Sequence, residues 1–200
     1  AIADITPVHL QQYYKDQLLA RCRLLVSGQV DEQDLKTIQG YLQPLPIQAP
    51  DAVLPPWLTQ APAQVHLAKE DSLQAAISMG RVLFAKDHPD YLPLLVVNEL
   101  LGGYFGSRLM RNIREDKGYT YGIYSYLLNQ LKESGWMIST EAGREVSQAT
   151  IEEVYKEMEL LRNEPVDNEE LQMIRNYMIG TVLGDLDGPF QVLARWKGLL

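Results

Sequence analysis

The chain predicts an α+β fold, a mostly antiparallel sheet with helices packed on it, and three observations carry that expectation. Leu73, Ala75, Ile77 and Met79 alternate with Gln74, Ala76 and Ser78, the period of a strand with one buried face. Two further apolar and aromatic runs, Tyr119 to Leu128 and Gly135 to Thr140, lie close enough in sequence to pair as a hairpin. Helical patterns are segregated from these strands rather than alternating with them one by one, which favours α+β over repeated βαβ units. With 200 residues, 46% of them hydrophobic, the sequence suits a single domain over 1–200 with a sizeable core.

The elements follow in order. Thr6-Pro7 opens a helix, with a hydroxyl at the N-cap and proline at the first position, where its missing N–H costs nothing. Leu24 to Ser27 reads as a strand ending at Gly28. A helix after Asp31 places Leu35, Ile38 and Leu42 on one face and stops before Pro44. Six prolines among the 19 residues from Pro44 to Pro62 make that stretch a connector. Val65 to Leu67 and Leu73 to Phe84 read as strands, and Asp90 to Leu101 as a helix ended by Gly102-Gly103. Ser107 is expected to cap a short helix to Lys117, and Gly118 to close it in the left-handed conformation. The hairpin turn contains Asn129 and Lys132. Ser147 then caps a helix whose inner face is Ile151, Val154, Tyr155, Met158 and Leu161, with Glu152 paired to Lys156 outside. Asp167 and Glu170 form a capping box for a helix through Leu171, Ile174, Met178 and Val182, which Gly188-Pro189 kinks or restarts.

Composition removes several classes of function. Eighteen basic against 26 acidic residues give a formal charge of -8, which disfavours unspecific binding to nucleic acid or anionic lipid. Cys22 is the sole cysteine, so neither an internal disulfide nor a cysteine-rich metal site is available, and its apolar surroundings read as core. No run approaches the ~20 apolar residues of a membrane span, and AIADITPVHL lacks the regions of a signal peptide. The compartment stays open, extracytoplasmic and organellar locations included. The chain starts without Met and ends in QVLARWKGLL, still in helical spacing, so it reads as a piece of a longer protein.

His9, His66 and His88 lie 57 and 22 residues apart, with no partner at the offset that would place two metal ligands on one helix face. Phe105-Gly106-Ser107-Arg108 is not a nucleophile elbow. Leu101-Gly102-Gly103-Tyr104-Phe105-Gly106 follows a helix and lacks the Gly-Lys-Ser/Thr ending of a phosphate loop. What remains is Arg114 and Tyr121, seven residues apart across a helix-to-strand junction. A guanidinium and a phenol there can grip an extended peptide backbone. The competing structural readings are a cation at a helix C-terminus and an aromatic packed on a strand.

The segment LGGYFGSRLMRNIREDKGYTYGIYSYL resembles the signature of the non-zinc-binding domain of the pitrilysin family, inverzincin metallopeptidases that include insulin-degrading enzyme and mitochondrial processing peptidase. ITPVHLQQYYKDQL, the Ser27-Gly28-Gln29-Val30-Asp31 stretch, PDYLPLLVVNELLGG and PVDNEELQMIRNYMIG extend the resemblance over nearly the whole chain. It implies a zinc-less, substrate-binding half that works with a zinc-bearing domain, on the same parent chain or on a partner subunit, to hydrolyse peptides. It carries substrate binding over to Arg114 and Tyr121, gives this chain no catalytic residue or zinc ligand of its own, and suggests that the edge of the Leu73–Met79 strand pairs with substrate. A structural core subunit of the same fold and a peptide-sequestering module are the alternatives.

Without three suitably spaced ligands, the purified chain is expected to retain no stoichiometric zinc after dialysis and to cleave no fluorogenic peptide by itself. Elemental analysis alongside a chelator-controlled peptidase assay checks this; tightly held zinc with chelator-sensitive cleavage would contradict it.

Overall fold

The computed structural model describes residues 2–18, 23–45, 63–129 and 134–198. Its backbone falls into two compact units, Val65–Ile179 and a second made of Ala1–Gln64 with Gly180–Leu200. Most of the proline connector, Cys22 and Lys132 lie outside the described residues.

The Val65–Ile179 unit is built on a three-stranded antiparallel sheet in the order β1-β3-β2, with β1 Gln74–Leu83, β2 Thr120–Asn129 and β3 Ser134–Gly143. The expected hairpin is β2-β3, and β1 joins the other side of β3 in an unbroken register from Gln74↔Gly143 to Leu83↔Ser134. The alternation foreseen for β1 holds for Ala75, Ile77 and Met79, on its more protected face, but not for Leu73, which precedes the strand and is 88% exposed. Leu101, Leu109, Met110, Ile113, Ile123, Ile138 and Val154 form the buried cluster, and Met79, Trp136, Met158 and Leu161 pack against it. Removing one such side chain, Ile113→Ala for example, would cost roughly 2–5 kcal/mol through lost burial and the cavity left behind.

Helix α3 (Tyr91–Asn98) runs into a π-helical turn, Glu99–Gly103, so the expected helix to Leu101 continues with wider winding. Asn98 fastens this element to the sheet: its Nδ2 donates to the Ser125 carbonyl at 3.2 Å, and Ser125 Oγ donates to its Oδ1 at 2.7 Å. Trp136 Nε1 then donates to Ser125 Oγ at 2.7 Å, so this buried network is satisfied among its own members. Helix α4 (Ser147–Asn163) lays Val154 into the core, with Met158 and Leu161 packed against the same cluster. Tyr155, expected on that face, is exposed because it lies one residue, about 100°, round the helix from Val154. Helix α5 (Asn168–Gly184) is tied to the segment before the hairpin by a bidentate ion pair, Arg108 Nε to Glu170 Oε1 at 2.8 Å and Nη2 to Oε2 at 2.6 Å.

Several local expectations are corrected. Val65 to Leu67 forms no strand, and Leu24 to Ser27 takes no regular structure and enters no ladder among the described residues; a strand-like sequence becomes a strand only where a partner edge takes its N–H and C=O groups. Ser107 does not cap with its side chain, because Oγ is buried with no hydrogen-bond partner, although its carbonyl accepts from Arg111 N–H at 2.9 Å. Ser147 is the first residue of α4 rather than its cap, its hydroxyl donating back to the Arg144 carbonyl at 2.9 Å. Lys156 faces Glu153 at 3.6 Å, not Glu152, which instead accepts from Gln148. The Asp167 box is half made: Asp167 Oδ1 accepts from Glu170 N–H at 2.8 Å, while the Glu170 carboxylate is spent on Arg108.

In the other unit, α1 (Pro7–Tyr13) begins at Thr6, whose hydroxyl accepts from His9 N–H at 3.3 Å. Helix α2 (Glu32–Leu42) is capped by Asp31, which accepts from Asp34 N–H at 2.8 Å. Gly188, at φ +102°, restarts the chain as α6 (Pro189–Lys197). Among the described residues no helix is long and apolar enough to cross a membrane.

Burial holds the Glu99 carboxyl above the usual carboxylate range. Its folded-state pKa therefore exceeds its unfolded one, and ionisation works against the fold: stability falls as pH rises through the unfolded value, and the loss is complete above the folded value. Glu99→Gln is accordingly expected to raise the thermal midpoint at pH 7, with the gain vanishing below about pH 3, where both states of the wild type are protonated. Midpoints measured across that range for both proteins check the sign; a destabilised Gln variant at pH 7 would contradict it.

Candidate functional site

The site begins with a change of helical winding. After a short α-turn at Arg108 and Leu109, the chain runs as a π-helix over Met110–Asp116, with Met110 and Ile113 buried and Arg114 in its last turn. The end is closed by Lys117 N–H to the Asn112 carbonyl at 3.1 Å and Tyr119 N–H to the Ile113 carbonyl at 3.0 Å. Gly118 between them has φ +66°, the left-handed cap expected from its position. A Cβ there would meet nothing within 4 Å, so it is conformation rather than space that calls for glycine.

Strand β2 starts two residues later and bulges at once. Thr120 is opposite Ala142 and Ile123 opposite Thr140, so three steps along β2 span two along β3. The extra residue lies at Tyr121-Gly122, where a bulge re-aims a side chain and leaves an N–H outside the ladder. Thr120 Oγ1 takes up that N–H from Gly122 at 3.1 Å, donates to the Glu141 carbonyl at 2.7 Å and accepts from the Thr140 hydroxyl at 2.8 Å. Tyr121 is thereby turned outward and is 93% exposed.

Arg114 and Tyr121 line one cleft of about 790 Å3, together with Gln74, Glu115, Thr120 and Glu141. The Arg114 guanidinium stands over the ring of Phe105, 4.5 Å from its centroid, and approaches Glu115 Oε1 only to 3.9 Å. That distance is too long for a hydrogen bond, so the in-plane donors of Arg114 are uncommitted among the described residues. Packing does not account for Tyr121 at such exposure, whereas a position at a helix C-terminus does apply to Arg114. Gln74, where β1 begins, reaches the same cleft, and the outer edge of β1 carries no strand among the described residues.

Sequence reasoning missed Thr120, Glu141 and Phe105. A glycine within a strand pattern is a bulge signal, and Gly122 would have flagged Thr120 and the re-aimed tyrosine. Nothing marks Glu141, which reaches the cleft through the register of β3. Elsewhere, hydrogen bonding from Asn112, with Lys117 and Lys156 nearby, holds the Glu153 carboxyl below the usual range. Burial raises the Tyr104 phenol, against the nearby charge of Arg111. No group of three or more His, Cys, Asp or Glu is placed to hold a metal ion among the described residues.

Residues 4–178 match the family described as the peptidase M16 inactive domain. The uncharacterized zinc protease YmxG of Bacillus subtilis is 28% identical over 128 residues, which cover 64% of this chain and 31% of that protein. The crystal structure of a peptidase M16 inactive domain from Pseudomonas fluorescens is similar with a TM-score of 0.64 and 26% identity, over 91% of this chain and 45% of that one. A protease structure from Helicobacter pylori shares the fold at a TM-score of 0.73 and 18% identity, over 96% of this chain and 48% of that one. The chain thus spans about a third of the curated relative and just under half of each of these structures. With nearly its whole length inside the matched region, the chain belongs to the peptidase M16 inactive domain family of pitrilysin-type zinc proteases.

Proposed function

We propose that this chain is the zinc-less, substrate-binding half of a pitrilysin-like peptidase, holding an extended peptide at Arg114 and Tyr121 beside a second domain that bears the zinc. The observation that supports this reading is the convergence of an uncommitted guanidinium and an outward-turned phenol on one cleft. A scaffold gains nothing from exposing Tyr121 on a bulge.

No metal site is formed among the described residues, and the zinc of the second domain would supply Lewis-acid activation of water and of the scissile carbonyl. The part of this chain is to bind and orient. Arg114 presents a planar fork of donors suited to a peptide carbonyl or a carboxylate. Tyr121 donates its hydroxyl to the carbonyl oxygen as negative charge develops on it. The outer edge of β1, which carries no strand among the described residues, offers main-chain pairing that would keep the peptide extended.

In the complex of this chain with its zinc-bearing counterpart, Tyr121→Phe and Arg114→Ala are expected to lower turnover by up to ~10²–10³-fold, the range of a lost oxyanion donor. Thermal midpoints should barely move, since Tyr121 is exposed and Arg114 makes no hydrogen bond among the described residues. Steady-state kinetics and melting curves for both single variants and the double variant check this. Near-normal kinetics with a lowered midpoint would assign both side chains to the fold instead.

A further inference from the structure

The Arg114 guanidinium has one close neighbour that neither lines the cleft nor fills the core. Phe105 is 59% exposed, on the turn between the π-helical stretches, with its ring under Arg114 at 4.5 Å. We propose that Phe105 is a positioning residue, whose ring face fixes the plane of the Arg114 guanidinium so that its N–H edge is presented to the peptide. This rests on the substrate-binding reading of Arg114.

The turn that carries Phe105 is held from both sides. Ser107 N–H donates to the Tyr104 carbonyl at 3.2 Å and closes it. The Tyr104 ring stacks on Tyr177 with centroids 4.6 Å apart, and its hydroxyl lies 3.5 Å from Met173 Sδ, so Tyr104 anchors the turn to α5. A Cβ on Gly106 would lie 2.8 Å from the Tyr104 ring, so only glycine lets that ring fold back beside the turn. Between an anchored tyrosine and an obligatory glycine, Phe105 faces outward.

A cation held over a ring face is attracted by the ring quadrupole and keeps its in-plane donors free, whereas an ion pair with a carboxylate would consume them. Glu115 is the acidic side chain that approaches the guanidinium, at 3.9 Å, and it lines the same cleft. Without the ring, the guanidinium is released to turn toward Glu115, and donors meant for a peptide are spent inside the protein. An aliphatic side chain fills the same space but lacks the quadrupole.

The test uses this chain and a fluorescein-labelled, amidated decapeptide of alternating alanine and threonine, read by anisotropy, together with the NMR signal of Arg114 Nε–Hε. Phe105→Leu should weaken binding about two- to fivefold, the equivalent of one exposed cation–π contact. Phe105→Tyr should restore it, and Phe105→Leu should add nothing in an Arg114→Ala background. The Arg114 Hε resonance should be ring-current shifted in the wild type and the Tyr variant, and return to the free-arginine position in the Leu variant. If Phe105→Leu binds like wild type while Arg114→Ala weakens binding, Phe105 is idle and the inference fails with the substrate reading intact. Weakening by Phe105→Leu that persists without Arg114 would show Phe105 acting on its own, which also overturns it. If wild type binds no better than Arg114→Ala and Tyr121→Phe, the substrate reading fails and the inference falls with it, whatever the Hε shift shows.

Discussion

The left-handed turn at Gly118 is the constraint on which the cleft depends. A φ of +66° lets the chain leave a π-wound helix and enter a strand within two residues, with the helix-end carbonyls of Asn112 and Ile113 still bonded. A side chain there would add roughly 1–2 kcal/mol of strain, and a relaxed backbone would carry Arg114 and Tyr121 apart. Backbone geometry places both residues; Tyr121 is almost fully exposed, and Arg114 adds a contact with the Phe105 ring. Beneath the turn, Met110, Ile113 and Ile123 are completely buried, and Ile123 N–H donates to Met110 Sδ at 3.4 Å. The core clamps both arms of the reversal while its tip stays in solvent.

The bulge works with the turn. A regular β2 would place Tyr121 in a plain alternation set by the pleat, whereas the extra residue resets the alternation and frees it from the sheet. The cost of a bulge is an unpaired N–H, and the Thr120 hydroxyl meets that cost with a side-chain acceptor that is itself fully engaged. Thr120 thus holds the bulge from within the sheet, as Phe105 would hold Arg114 in the proposed arrangement.

Much of this was legible from residue patterns. Period-two alternation gave β1, aromatic and β-branched content gave β2 and β3, and Gly118 announced its own conformation. Arg114 and Tyr121 were picked out by spacing and by resemblance, and the structure sets both on the wall of one cleft. Some of the misses depend on a partner distant in sequence, while others, such as Lys156 choosing Glu153 over Glu152, turn on a local choice between near neighbours. Leu24 to Ser27 has the composition of a strand, but composition does not say whether an edge will take it up. Glu170 has the spacing of a capping box, yet Arg108, 62 residues away, takes its carboxylate. The π-helical winding was invisible because the apolar spacing of so short a segment fits α and π turns alike.

Everything proposed for the cleft requires that peptide sit at the Gly118 turn. Backbone and Arg side-chain NMR shifts recorded while the alternating decapeptide is added address this most directly, because they locate the contact without needing catalysis. The account predicts that the largest changes fall on Thr120, Tyr121, Glu141 and the Arg114 Nε–H, with lesser changes along the outer edge of β1 from Gln74. Shifts centred on other surfaces, with those signals unmoved at saturation, would contradict it.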